Sequence, residues 1–369
     1  MALARDADHF TPRPRVAALR RAGRCLPLWY APADDCVFAT GVSESWYSQV
    51  TADFDLPATL WQPDADAGAM SGAPWGWSRA VRSEFRHLGL VDLPSDKRLE
   101  HWRDLSHRRT AMLLGRYLDA SLDFDIHFDT TEVTSEGALL EAIAARGAAV
   151  AKSPWSSSGK GVFPLGDSRA VDVALPGLRG VIARQGSMMV ESMWDRALDC
   201  AMLFTLGAGK PTFDGLSVFT TNPNGTYAGN VLGPREHLRD MITSRMTCPA
   251  QLDAVIAATT DFLAALDTDG YRGPVGVDMM VCADGLLAPA IEINLRDTMG
   301  HVALALSRHH LAPGLTGLLE IRPRAIGEPS PSYTARDRRL TAGTLPLTPP
   351  EGGLLFTATV TGNRACLPD

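Results

Sequence analysis

The sequence lacks the features of membrane and secreted proteins. Its 369 residues contain no apolar run long enough to span a bilayer. The N-terminal segment, MALARDADHFTPRPR, has no apolar core of the kind found in signal peptides. The six cysteines are scattered without CxxC spacing, which favours reduced thiols over a disulfide framework or a zinc site. We therefore expect a cytoplasmic protein without a membrane partner.

Basic charge is scarce as well. The formal net charge is −7, and no run of Lys or Arg and no aromatic ladder marks a nucleic-acid surface. The remaining composition, 45% hydrophobic and 21% charged, is typical of a soluble globular protein. A chain of this length can form two or three domains with a large buried core. We expect no nucleic-acid partner.

The common nucleotide-binding motifs are also absent. The first 95 residues contain no GxGxxG. The Gly-Lys pair at 159–160 does not belong to a Walker A loop, because Pro154 occupies the place of the first glycine and Gly161 replaces the Ser or Thr. Any nucleotide site must therefore be built from other patterns.

Apolar and amphipathic segments predict the elements of the chain. Short strands at Cys25–Tyr30 and Cys36–Ala39, followed by a helix at Trp75–Gly89, indicate a small α/β domain up to about residue 95. Further elements are predicted as helices at Asp96–Leu105 and Ser106–Ala120, the second with Ser106 as N-cap, and as one late strand at Leu354–Val360 in a tail rich in Pro, Ser and Thr.

The most informative stretch lies between Gly270 and Gly300. Two β-prone segments, Val275–Val281 and Leu286–Leu295, flank an Asp-Gly turn, which predicts a hairpin.

Polar residues occur in this hairpin at unusual positions. Asp278 interrupts the first strand, and Glu292, Asn294 and Arg296 occupy every second position of the other. Period two places those three side chains on one face. Carboxylate, amide and guanidinium groups opposite another carboxylate can hold a hard divalent cation and a phosphate oxygen together. The alternative is a solvated strand face with one salt bridge.

A second stretch has the character of a phosphate-binding loop. Lys152 ends a predicted strand, and a segment of small residues, Ser156–Gly161, follows. Gly and Ser let backbone N–H groups approach an anion closely, and lysine adds a positive charge. The alternative is a surface loop whose glycines occur by chance.

A third stretch, Met188–Trp194, is an apolar strand that contains Glu191. Apolar walls with one acidic acceptor and free backbone groups suit an adenine ring. Asp199, eight residues later, can reach ribose hydroxyls. The alternative for each is a strand-edge carboxylate in water.

The order of these residues resembles that of the ATP-grasp superfamily, over roughly residues 95–320. The resemblance implies an α/β and α+β fold, in which a pre-ATP-grasp α/β domain precedes a two-subdomain ATP-grasp fold. The implied domains are residues 1–95, an ATP-grasp domain at 96–325 with a small lid subdomain at about 125–195, and a C-terminal extension at 326–369 with one late strand.

The resemblance also implies roles for residues around ATP, which would lie between the two subdomains. The phosphates would be held by Lys152 and by the loop that contains Ser157, Ser158, Gly159 and Gly161; adenine by Glu191 and Ser192; ribose by Asp199; and one or two Mg²⁺ ions, with Mn²⁺ as an alternative, by Asp278, Glu292 and Asn294. Arg296 and Lys152 would be the catalytic residues. A second ATP-binding lysine usual in the family has no match, and Arg109, or its neighbour Arg108, would replace it.

The implied reaction is the ligation of a carboxylate to an amine through an acyl phosphate, with release of ADP and phosphate. Phosphoryl transfer depends on positioning and charge neutralisation, which these residues could supply. A kinase-like phosphotransferase and a catalytically idle nucleotide-binding module remain alternatives. The carboxylate could belong to an amino acid, a peptide or another small acid, and a homodimer remains open.

Overall fold

The structure is a computed structural model that describes residues 5–61, 68, 70–157, 160–222, 227–325, 327–350 and 353–362. At Ser157 and Lys160 it describes the backbone alone.

The N-terminal part is mainly helical and leads into two helices that cover the large sheet. Its elements are α1 (Pro14–Gly23), β1 (Cys36–Val37), α2 (Glu44–Asp53), β2 (Thr59–Leu60), α3 (Arg79–His87), α4 (Asp96–Leu105) and α5 (Arg108–Ser121). The two short strands are parallel. The strand predicted at Cys25–Tyr30 is wrong, because Leu26–Trp29 forms a 3₁₀ helix. Pro27 lies in its first turn, where the fixed φ of proline favours a helical start.

The start of α5 also differs from the prediction. The hydroxyl of Ser106 donates to the Trp102 carbonyl at 2.9 Å, so this residue completes the end of α4. His107 is the N-cap of α5 instead, and its Nδ1 accepts from the Arg109 backbone N–H at 2.9 Å. The helix predicted at Ser106–Ala120 therefore begins at Arg108.

A small α+β subdomain follows. It consists of β3 (Thr131–Val133), α6 (Glu136–Ala144), β4 (Ala149–Ser157), β5 (Lys160–Leu165), α7 (Ser168–Gln185) and β6 (Met188–Ser192). Its four antiparallel strands have the order β3-β6-β4-β5. Apolar side chains of both helices and the sheet, among them Leu139, Leu165 and Leu178, form a separate core cluster. This subdomain therefore has a core of its own.

The rest of the chain forms one large antiparallel sheet and its helices. The elements are β7 (Arg196–Leu206), β8 (Thr212–Thr221), β9 (Tyr227–Leu232), α8 (Arg235–Thr243), α9 (Gln251–Ala265), β10 (Gly273–Cys282), β11 (Leu287–Asn294), α10 (Met299–Ala305), β12 (Thr316–Pro323), β13 (Tyr333–Arg336), β14 (Arg339–Pro346) and β15 (Leu354–Gly362). The strand order is β11-β10-β7-β8-β9-β12-β15-β14-β13.

Alternate residues of the central strand β7 face different layers. Met202 and Phe204 belong to a cluster with residues of α4, α5 and α9, whereas Ala201 and Leu203 contact Leu304 of α10. The sheet is therefore covered on both faces at this strand.

The C-terminal segment contains more structure than its composition suggests. The prediction of one late strand is wrong, because β13, β14 and β15 all join the large sheet. Trp29 and Phe54 share a core cluster with Leu345 and Phe356, so the two ends of the described chain pack together.

The predicted fold class is confirmed by these mixed layers and by the two α+β subdomains. The domain boundaries stay predictions. Within the described residues, none of the helices combines the length and the apolar character needed to cross a membrane.

Candidate active site

The β10–β11 hairpin brings the predicted metal-binding side chains together. Asp278 lies directly opposite Glu292, and Gly276 lies opposite Asn294. The Asn294 side-chain amide donates to Asp278 Oδ2 at 3.2 Å, and its carbonyl oxygen accepts from Arg296 at 2.7 Å. The period-two pattern therefore gives one continuous polar face, as the sequence predicts.

The charges on this face favour a bound cation. Burial raises the pKa of Asp278, and the charge of Glu292 raises it further, whereas Arg296, Asn294 and Arg108 lower it. Two carboxylates that face each other in a poorly solvated position repel unless a positive charge lies between them. Asp278 and Glu292 thus form an environment suited to a divalent cation.

Arg108 supplies positive charge at this position. As the first residue of α5 it is 7% exposed, and its Nη2 donates to Glu292 Oε2 at 2.8 Å and to Ser156 Oγ at 3.1 Å. Its Nε and Nη1 are buried and have no hydrogen-bond partner among the described residues. Buried donors without a partner are costly, so these two N–H groups are suited to an anionic ligand.

The structure does not bring Arg109 to this cluster. Its guanidinium makes a bidentate ion pair with Glu132, with two N···O distances of 2.5 Å, and its side chain is 52% exposed. Successive helical residues differ in direction by about 100°. Arg108 lies on the same face of α5 as the buried residues Ala111 and Met112, whereas Arg109 lies on the face of Leu113, which is 45% exposed.

Lys152 and Glu191 lie on neighbouring strands, β4 and β6, and form an ion pair. Both side chains are about nine-tenths buried. Glu191 also accepts from the Thr130 hydroxyl at 3.3 Å. The predicted phosphate ligand and the predicted adenine acceptor thus neutralise each other.

A narrow crevice connects these groups. It lies between α5, the small subdomain and β11, and the side chains that line it leave essentially no space for a water molecule. Its lining consists of Arg108, Ala111, Met112, Thr130, Lys152, Met189, Glu191, Ala290 and Ile291. Pockets for molecules of nucleotide size enclose roughly 300–1,000 Å³, so a nucleotide would need the crevice to widen.

The predicted adenine residues Glu191 and Ser192 end β6 of the small subdomain, and the predicted ribose residue lies on β7 of the large sheet. Asp199 Oδ2 accepts from Arg196 Nη1 at 2.9 Å and from the Thr221 hydroxyl at 3.1 Å. Burial raises its pKa, and Lys152 is close enough to lower it. The backbone N–H and the hydroxyl of Ser192 donate to Asp129, which the sequence did not single out.

The predicted phosphate-binding loop is a β-hairpin. Ser157 pairs with Lys160 across β4 and β5. Ser158 and Gly159 lie outside the described residues. Gly161 has a φ of +89°, and a Cβ there would lie 2.6 Å from Ser153 Oγ. Only glycine therefore fits at this position without rearrangement.

Asp297 is a further polar residue at the site that the sequence analysis missed. It follows Arg296, and its backbone N–H donates to the Trp75 carbonyl at 2.8 Å. Burial raises its pKa to about 7, against the lowering effect of Arg296. Its charge also raises the pKa values of Tyr30 and Tyr271, so residues from the N-terminal part surround this end of the site.

Comparison with known proteins gives structural matches alone. No protein-family model and no curated protein sequence matches the chain. Biotin carboxylase from Campylobacter jejuni, solved as a β,γ-ATP complex, is 11% identical with a TM-score of 0.49 over 71% of this chain and 64% of that one. N5-carboxyaminoimidazole synthase from Aspergillus clavatus, with ADP and an aminoimidazole ribonucleotide, is 12% identical with a TM-score of 0.46 over 87% and 91%.

N5-carboxyaminoimidazole synthetase from Staphylococcus aureus, with ADP, is 12% identical with a TM-score of 0.43. That match covers 60% of this chain and 57% of the other, so the chain spans less than two thirds of that protein. The matched proteins are ATP-grasp enzymes, the superfamily that the ordered residues resemble. All three TM-scores are below 0.5, so the functional argument rests on the side chains described above and not on these matches.

Proposed function

We propose that the chain is a Mg²⁺- and ATP-dependent ligase that joins a carboxylate to an amine through an acyl phosphate. One observation carries this proposal: the Arg108 guanidinium contacts Glu292 of the polar hairpin face and Ser156 of the β4–β5 hairpin at once. A group that links a predicted metal ligand to a predicted phosphate-binding segment supports the binding of a metal-bound polyphosphate between them.

The residues fit a magnesium ion. Asp278 and Glu292 are opposed carboxylates, and the Asn294 amide carbonyl lies on the same face. Oxygen ligands of this kind, completed by substrate phosphates, are what Mg²⁺ prefers. When bound, the ion supplies neutralisation of the charge on the β- and γ-phosphate oxygens.

ATP would be held by an exchange of ionic partners. Arg108 has two buried N–H groups without described partners, and Lys152 is paired to Glu191. Phosphate oxygens can accept from both cations, which frees Glu292 for the metal and Glu191 for the adenine amino group. The internal ion pairs therefore keep the charged groups neutralised until the nucleotide arrives.

The reaction would proceed in two balanced steps. A substrate carboxylate oxygen attacks the γ-phosphorus, and the bond from that phosphorus to the ADP oxygen breaks. The amine nitrogen then attacks the acyl carbon, the acyl–phosphate bond breaks, and phosphate leaves as the nitrogen loses a proton. Arg296, held by Asn294 at 2.7 Å, lies at the end of the polar face, where it can steady the transferred phosphoryl group.

The test is release of ADP and phosphate from Mg²⁺-ATP against a panel of amino acids and small carboxylic acids, singly and in pairs. Release that requires both a carboxylate and an amine, with a condensed product by mass spectrometry, is the expected result. A stable phosphorylated product from one substrate alone would replace the ligase with a kinase-like phosphotransferase. Bound ATP without turnover across the panel would favour an idle nucleotide-binding module.

A matched pair of variants connects that result to the site. Glu292→Ala removes a predicted metal ligand, whereas Glu236→Ala removes an exposed carboxylate on α8. Turnover should disappear in the first variant and persist in the second.

A further inference from the structure

A cluster outside the crevice combines three metal-ligating side chains. A ring nitrogen of His127, the Sγ of Cys282 and a carboxylate oxygen of Asp284 lie within 4.8 Å of one another. We propose that these three residues bind a borderline divalent cation such as Zn²⁺, at the turn of the β10–β11 hairpin.

The geometry needs little adjustment to accept such an ion. Zinc bonds of about 2.0–2.3 Å in a tetrahedral arrangement place ligand atoms roughly 3.5 Å apart. His127 Nε2 already lies 2.7 Å from Asp284 Oδ2, so a small rotation of either side chain would open the space. Asp284 is 53% exposed and can rotate, whereas Cys282 is buried and fixed on β10.

The donor set selects the class of metal. A thiol and an imidazole are soft and borderline ligands, which favour zinc over the oxygen-preferring Mg²⁺ of the crevice. Three protein ligands leave a fourth position for water or for a further carboxylate. Asp195 lies beside the cluster, because its backbone carbonyl accepts from the N–H of Ala283, the residue between Cys282 and Asp284.

The position of the cluster gives the metal a structural consequence. His127 belongs to the connection that enters the small subdomain, and Trp194 and Asp195 belong to the connection that leaves it. The His127 ring stacks on Trp194 with centroids 4.0 Å apart. The backbone carbonyl of Asp195 accepts from the Ala283 backbone N–H at 2.8 Å. A metal here would join the hairpin turn of the large sheet directly to the connection that contains His127. Through the stacked ring it would also hold the connection that contains Trp194.

The test uses the full chain, treated with a chelator and then titrated with ZnCl₂ or CoCl₂ without nucleotide. We expect one ion per chain, and with Co²⁺ a thiolate-to-cobalt charge-transfer band in the near ultraviolet. Cys282→Ser should abolish that band, and His127→Gln should weaken Zn²⁺ binding at least about tenfold, the loss that even an outer-shell partner can cause. Cys248→Ser, which removes an exposed thiol elsewhere, should change neither.

Two further variants keep the result decisive. Asp284→Asn alters an exposed side chain, so it should weaken metal binding without loss of the native circular dichroism spectrum. Glu292→Ala should leave the cobalt band unchanged, which separates this site from the nucleotide crevice. Absence of stoichiometric binding, or a cobalt band that survives Cys282→Ser, would overturn the proposal and leave a hydrogen bond between His127 and Asp284.

Discussion

Two adjacent arginines provide a sharp test of the proposed nucleotide site. Arg108→Ala removes a guanidinium that is 7% exposed, contacts Glu292 and has two buried N–H groups without described partners. Arg109→Ala, one position further along α5, removes a guanidinium that is paired to Glu132 and half exposed. The two substitutions are chemically identical, and the structure predicts opposite outcomes.

The magnitude follows from the donors that each variant loses. A hydrogen bond to a charged group contributes about 1.5–3 kcal/mol, so two donors from Arg108 to phosphate contribute about 3 kcal/mol at the lower end. At 1.4 kcal/mol per tenfold, that corresponds to about 100-fold weaker binding of Mg²⁺-ATP. The exposed Arg109–Glu132 pair contributes about 0–1 kcal/mol to stability, and its loss should change ATP affinity by less than about threefold.

Isothermal titration calorimetry with Mg²⁺-ATP, in the absence of other substrates, measures both affinities. Arg108→Lys is a useful intermediate, because it keeps the charge and loses the planar fork; its affinity should lie between those of the wild type and Arg108→Ala. Equal affinities for Arg108→Ala and wild type, or a larger loss in Arg109→Ala, would refute the placement of Arg108 at the phosphates.

Three further predictions concern the same site. Glu292→Ala should abolish turnover with an unchanged circular dichroism spectrum, and near-wild-type kcat in that folded variant would remove Glu292 from the metal site. Lys152→Ala should mainly raise the Kd for ATP, as measured by calorimetry, and an unchanged Kd would remove Lys152 from the phosphates. The pKa of Asp297, about 7, lets the native state hold its proton to higher pH than the unfolded chain does, so the contribution of this carboxyl to the free energy of unfolding should fall as pH rises from about 4 to 7. Asp297→Asn should remove that contribution, so in urea titrations the variant should gain stability relative to the wild type across this range, and an equal slope in both proteins would contradict the assignment.

Local patterns in the sequence were sufficient to predict the polar hairpin. Asp-Gly specifies the turn, and period two then determines which side chains share a face, so Glu292 and Asn294 could be placed on one face with a carboxylate opposite, without tertiary information.

The helix that carries the arginines required more than pattern. Apolar residues follow both arginines at helical spacing, so the sequence alone does not choose between them. In the structure Arg108 shares a helix face with the buried Ala111 and Met112, whereas Arg109 shares one with Leu113, which is 45% exposed. The packing of α5 against β11 and β4 makes that choice.

Two of the three C-terminal strands, β13 and β14, were not predicted from the sequence for a related reason. β14, Arg339–Pro346, has few large apolar residues, and it pairs with its chain neighbours β13 and β15, which β12 links to the rest of the large sheet. Strand propensity depends on such partners, so a Thr- and Pro-rich sequence alone gives a weak signal.

The core shared by the two ends of the described chain also has a consequence for biosynthesis. The indole N–H groups of Trp29 and Trp46 donate to the backbone carbonyls of Leu347 and Pro346, at 2.8 and 3.0 Å. Trp29 and Trp46 therefore lack these hydrogen-bond partners until the ribosome has added some 300 further residues. Domains usually fold in the order of their synthesis. Here the segment that is synthesised first can complete its core only after the C-terminal strands have been made. Until then its apolar surface needs protection from aggregation.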